Sequence, residues 1–110
     1  MNDQTVQQGK MYAVIAYLTL FGTLVAFFMN RDKPNEFTSF HIRQSLGIGL
    51  VYIALSYVIG SFDSLKISGA FMLVFLFIYL YGIYRVIIGK ATPIPFIGPY
   101  FQNIFKSIGQ

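Results

Sequence analysis

Residues 11–29 read MYAVIAYLTLFGTLVAFFM, nineteen positions without a charge or a proline. A helix rises about 1.5 Å per residue, so this run reaches roughly 28 Å, close to the ~30 Å hydrocarbon thickness of a bilayer. Two further runs have the same character. Residues 44–62 are interrupted only by Gln44, Ser45, Ser56 and Ser61, and residues 67–84 continue through Arg85 to Ile88. Three such runs in a chain of 110 residues leave nothing with which to cover them in water. Composition agrees: 55% of residues are hydrophobic and 11% charged, against about 25% charged in ordinary globular chains. The sequence predicts an all-α integral membrane protein, residues 1–110 forming one membrane domain. Its transmembrane helices are expected at 11–29, 44–62 and 67–88.

The first run exceeds the ~7–15 apolar residues of a secretory signal and has no small-x-small site after it, so it is read as a span. The ten residues before it, MNDQTVQQGK, are polar and read as a loosely ordered tail. Orientation follows from lysine and arginine. With three spans, Lys10 and Lys66 fall on one side, and Arg31, Lys33, Arg43, Arg85, Lys90 and Lys106 on the other. The cation-rich side is cytoplasmic by the positive-inside rule, which places the first loop and the C-terminus inside and the N-terminus outside. The net charge of +4 is thus a topology signal, and no nucleic-acid partner is expected.

The connections carry their own patterns. NRDKPNEFTSFHIR, residues 30–43, opens with a turn-like cluster. It then sets Phe37 and Phe40 among Glu36, Ser39, His41 and Arg43. This suits a short segment at headgroup level, or an extension of the second helix with two anchoring rings. Residues 61–68 are a tight turn between antiparallel helices. Beyond Thr92-Pro93-Ile94-Pro95, apolar residues at Ile97, Tyr100, Phe101, Ile104, Phe105 and Ile108 fall on one helical face. Residues 97–108 are therefore expected to lie as an amphipathic helix in the membrane interface.

Helix contacts in membranes favour small and hydroxyl residues. Ser45, Gly49, Ser56 and Gly60 share one arc of the second span; Ala16, Thr19 and Thr23 share an arc of the first; Gly82 lies on the third. These are the expected packing positions, within the chain or against a partner. Chemistry is sparse. One histidine, no cysteine, no glycine-rich phosphate loop and no nucleophile elbow provide no metal site, cofactor site or catalytic residue, and no enzyme is expected. Phe37, Phe40, His41, Arg43 and Gln44 are the candidates for contact with a partner or with lipid headgroups. His41 and Gln44 are assigned to bonds within the protomer, and Arg43 with the two phenylalanines to the outside.

Three stretches together resemble a known family. They are Gly9-Lys10 with Ala16-Tyr17-Leu18 and Gly22; Phe37-x-x-Phe40-His41-x-Arg43-Gln44-Ser45-Leu46; and Gly89-Lys90 with Pro93-Ile94-Pro95-x-Ile97-Gly98-Pro99. The combination is similar to a family of small bacterial membrane proteins grouped with the channel component of the chloroplast inner-envelope protein import translocon. The resemblance implies a multi-pass protein of the bacterial cytoplasmic membrane. Its role would be assisting protein translocation or membrane-protein insertion by binding a larger membrane complex. Two other readings of the spans stay open: a homo-oligomeric passage for small solutes, and a structural or lipid-organising protein.

Overall fold

A computed structural model of the chain describes residues 2–18, 20–94 and 97–106. Those residues form five helices: α1 (Asp3–Ala16), α2 (Leu20–Asn30), α3 (Glu36–Gly60), α4 (Leu65–Ile87) and α5 (Gly98–Ile104). No strand occurs among them.

The main departure from expectation is the first apolar run, which folds as two antiparallel helices and not as one span. α1 begins well before the run, at Asp3, because the Asn2 side chain caps it by accepting the Thr5 amide at 2.8 Å. The polar tail is thus helical. At the other end the amides of Tyr17 and Leu18 bond back to Val14 and Ile15 in a tightened last turn. The Thr23 hydroxyl donates to the Ala16 carbonyl at 2.7 Å, supplying a partner that the broken helix would otherwise lack. Gly22 makes the return possible, since a Cβ there would collide with the Ile15 carbonyl. Ala16 and Ala26 then pack together with Ile42 of α3.

This α1–α2 hairpin has both of its ends at the same end of the molecule. Near the start of α1, the Thr5 carbonyl accepts from Asn35 at 2.9 Å and the Gly9 carbonyl from Thr38 at 3.0 Å, at the beginning of α3. Lys10 Nζ donates to the Ile87 carbonyl at the end of α4. At the end of α2, Asn30 donates to Ser39 at 2.9 Å, again near the beginning of α3. The hairpin tip, by contrast, reaches Gly49, against which Leu20 packs, midway along α3. Fourteen and eleven residues make helices of about 21 and 16 Å, roughly half the ~37 Å of the 25-residue α3.

α3 is one continuous helix from Glu36, capped by Asn35, so residues 36–43 extend the second span and are not a separate surface segment. Ser61–Ser64 turns the chain, with Asp63 at φ 49° and Ser64 capping α4. α3 and α4 are long and apolar enough to cross a membrane; α2 is shorter. Tyr52 stacks on Phe71 and meets Phe75 edge-on, closing the α3–α4 seam. α5 is shorter than expected at seven residues, and positions 107–110, including the end of the predicted helix, lie outside the described residues. It does not present a single apolar face outward. Phe101 turns in against Gly47, where a Cβ would occupy its ring, while Tyr100 and Ile104 are exposed.

Candidate functional site

Burial concentrates where α1, the first half of α3 and the second half of α4 converge. Phe37, His41, Ile42, Gln44 and Ser45 are fully enclosed there, as is Tyr17 at the hairpin turn. An aromatic position at the end of α1 is possible because Gly82 of α4 leaves room: a Cβ on Gly82 would strike the Tyr17 ring.

Tyr17 is the centre of a chain of hydrogen bonds whose directions can be assigned. The Lys90 carbonyl, 3.0 Å from His41 Nε2, can only accept, so Nε2 carries a proton and Nδ1 accepts in the neutral ring. The Tyr17 hydroxyl donates to that Nδ1 at 2.7 Å. Gln44 Nε2 donates to the Tyr17 oxygen at 2.8 Å, and the Ile94 amide donates to Gln44 Oε1 at 2.7 Å. Four bonds therefore join the hairpin turn, α3 and the segment after α4, and every link has a donor matched to an acceptor. Phe37, Phe40 and Tyr17 surround the imidazole with edge-on contacts at 4.7 to 5.4 Å. With both ring nitrogens engaged inside the protein, His41 has none left to exchange a proton with a substrate. Among the described residues no group of three metal-ligating side chains occurs.

The sequence candidates separate accordingly. His41 and Gln44 bond within the chain. The outward placement expected for Phe37 and Phe40 is corrected: both are buried, Phe37 in the core with Ala13 of α1 and Tyr17, and Phe40 beside the His41 ring with its carbonyl held by Gln102 of α5. Arg43 is the member that reaches the surface. It is half-buried and donates to Gln102 of α5 at 3.2 Å, while Gln102 donates to the Phe40 carbonyl at 2.9 Å.

The small-residue positions divide by depth. Ala16, Thr23, Ser45, Gly49 and Gly82 are buried where helices meet. Ser56 is half-buried with its hydroxyl turned to the Ile53 carbonyl, and a Cβ on Gly60 would meet nothing. Thr19 lies outside the described residues. Sequence reasoning missed Tyr17 and Lys10 as structural partners; neither has a local signal, since their contacts are with residues more than twenty positions away.

The chain matches no protein-family model, no curated protein and no solved structure.

Proposed function

We propose that the protein is a small integral membrane subunit whose α3 and α4 cross the bilayer and whose α1–α2 hairpin enters one leaflet and returns. The observation that carries this reading is the contrast between apolarity and cover: in α4 the most apolar stretch is only 17% buried within the chain. A core helix of a soluble protein would be enclosed, whereas large side chains such as Leu65, Phe77 and Tyr84 point outward here.

The hairpin changes the expected topology. The N-terminus joins the first loop and the end of α4, so Lys10, Arg31, Lys33, Arg43, Arg85, Lys90 and Lys106 share one end and Lys66 alone marks the other. A six-to-two asymmetry becomes seven to one, which supports a cytoplasmic basic end with the N-terminus inside. The chain has no cysteine, so single introduced thiols report without background. In intact cells, Ser64→Cys is expected to react with a membrane-impermeant reagent, and Gln4→Cys and Lys33→Cys only after permeabilisation. Labelling of Gln4→Cys from outside would overturn the re-entrant arrangement.

Within that membrane the protein acts by binding, assisting protein translocation or membrane-protein insertion in company with a larger complex. The resemblance supports this, and the residues that carry it, among them Gly9, His41, Gln44, Gly82's neighbour Tyr17, Gly89 and Gly98, gather in the packed basic half. Arg43, half-buried beside Gln102, and the exposed Tyr100 of α5 are the side chains proposed to meet the partner. Extraction in native nanodiscs is expected to recover translocation or insertion machinery at fixed stoichiometry, and Arg43→Ala with Tyr100→Ala to lose it at unchanged thermal stability. Recovery of the chain alone, or as a closed homo-oligomer with solute flux, would sink this role.

A further inference from the structure

The last turn of α4 holds a cation that the chain does not answer. A lysine or arginine near a helix C-terminus commonly binds its free carbonyls. Arg85 does not. The Ile87 carbonyl accepts from Lys10, and those of Tyr84, Arg85 and Val86 accept from the amides of Ile88, Lys90 and Gly89. Among the described residues no acceptor bonds the Arg85 guanidinium, and its Nε is buried without a hydrogen-bond partner. Only Nε is sealed; the two Nη groups, equally unbonded, are open to an incoming anion. The guanidinium lies over the Tyr81 ring, 5.8 Å from its centroid. Along the same face of α4 runs an apolar cavity of about 270 Å³, lined by Phe77, Ile78, Tyr81 and Ile94. Phe77, Tyr81 and Arg85 follow one another at intervals of four, so this groove leads along the helix to the guanidinium. Arg85 stands twenty residues after Leu65, about 30 Å along the helix, which is the hydrocarbon thickness of a bilayer.

We infer that Arg85 and this groove form a binding site for one anionic phospholipid, its phosphate on the guanidinium and an acyl chain in the groove below. The inference rests on the membrane reading above and extends it. The unanswered charge selects an anion, and its depth places that anion at the headgroup level of the basic end. A planar guanidinium suits phosphate oxygens in particular, since two parallel N–H donors can meet two of them. The groove selects what the anion is attached to. Its walls are two aromatic rings and two isoleucines, with no glycine, alanine, serine or threonine to let the backbone of another membrane helix come close. A flexible hydrocarbon chain needs no such approach. The polar group on the wall is the Tyr81 hydroxyl, one turn below Arg85, and the ester carbonyls below a lipid phosphate are acceptors for it.

The chain contains no tryptophan, so one introduced indole reports the lipid beside it. Phe77→Trp puts the probe in the groove, and Leu80→Trp puts a control about 140° round α4 from Arg85, both at exposed positions. Each protein is reconstituted into phosphatidylcholine vesicles with a minor share of phosphatidylglycerol, bromine being carried midway along the acyl chains of one lipid or the other. Brominated phosphatidylglycerol is expected to quench Phe77→Trp beyond Leu80→Trp. The excess should correspond to a preference over phosphatidylcholine of about fivefold, the ~1 kcal/mol that one cation contributes at an anionic surface. Arg85→Gln is expected to abolish the excess while leaving Leu80→Trp quenched as before. Equal quenching of the two probes with Arg85 in place, a comparison that needs no Arg85 variant to fold, would overturn the site. So would an excess that survives Arg85→Gln. Loss of the excess on adding inorganic phosphate would overturn the lipid assignment in favour of a free anion. Protection of Phe77→Trp from both brominated lipids, with Leu80→Trp quenched, would overturn it in favour of a protein segment. Failure of either brominated lipid to quench Leu80→Trp would bring down the membrane reading itself, an outcome separate from all of these.

Discussion

The two ends of this molecule are built by different means. At the basic end, α1 and α2 and the adjoining halves of α3 and α4 are locked by directional bonds: Asn35 and Thr38 to the backbone of α1, Asn30 to Ser39, and the Tyr17–His41–Gln44 chain to the segment after α4. At the other end, α3 and α4 continue alone. From Leu50 to Gly60 no residue of α3 is buried, and Phe75 marks the last buried position of α4 on that side. The difference teaches where specificity resides. A helix pair that needs only its own seam and an apolar surrounding tolerates many sequences, whereas a hairpin that turns back on itself must cap its turn and satisfy its polar groups internally wherever no water reaches them.

The sharpest way to break the comparison is to remove one tyrosine from each end. Tyr17→Ala deletes an enclosed ring and leaves His41 and Gln44 without their shared partner. It is expected to cost about 3–5 kcal/mol, as for other large buried aromatic truncations. Tyr57→Ala removes a ring that is 81% exposed and is expected to change stability by no more than about 0.5 kcal/mol. Denaturant unfolding in matched detergent micelles measures both. Comparable losses would mean that the two ends are not differently constructed.

Tyr17→Phe isolates the hydrogen bonds from the packing. The ring stays against Gly82, but Nδ1 of His41 loses its donor and the Gln44 amide its acceptor. Buried polar groups left unpaired cost about 1–3 kcal/mol, so an intermediate loss is expected in the same assay. Gly47→Val should act at similar size by another route. Its side chain would take the place of the Phe101 ring, and overpacking of this kind costs about 1–3 kcal/mol. Its signature is local: hydrogen exchange in α5 rises while α1 and α4 stay protected. A uniform rise across all helices would show that α5 is integral to the basic end and not docked onto it.

Much of the outer end was legible in the sequence, because long apolar runs and a short polar turn are local signals. The end of α3 and both limits of α4 follow from them within a few residues, whereas α3 begins at Glu36, eight residues before the expected span. The basic end was less legible for an identifiable reason. Hydropathy averages over a window, and the turn at Tyr17 contains neither proline nor charge. Its cap comes from Thr23, seven residues after the Ala16 carbonyl it bonds, and its tight return depends on Gly22 and Ala26, which also read as ordinary small residues of a span. The stripe of Ala16, Thr19 and Thr23 was visible, but as one face of one helix; in the fold Ala16 and Thr23 sit on either side of the hairpin turn. Phe37 was misplaced by the same step, since α1, which packs against it, was expected to continue as part of a span. His41 was readable as internal because, four residues before Ser45 and eight before Gly49, it falls near their arc of the helix.

The smallest expected effect has the opposite sign, and it tests the open end directly. Gly69 lies within α4, and a Cβ built on it meets no atom within 4 Å. Glycine in a helix interior is disfavoured relative to alanine by up to about 1 kcal/mol, because it loses more backbone freedom on folding. At the basic end this gain is unavailable: Gly9, Gly47 and Gly82 each border atoms that a methyl group would displace. Gly69→Ala is therefore expected to stabilise the protein by about 0.5–1 kcal/mol, while Gly82→Ala destabilises it, with paired thermal unfolding curves in one detergent as the readout. A loss of stability in Gly69→Ala would mean that a protein surface closes on this stretch of α4 in the folded assembly. The outer end would then be specified by contact, as the basic end is, and the contrast between them would lie in which molecule supplies the neighbour.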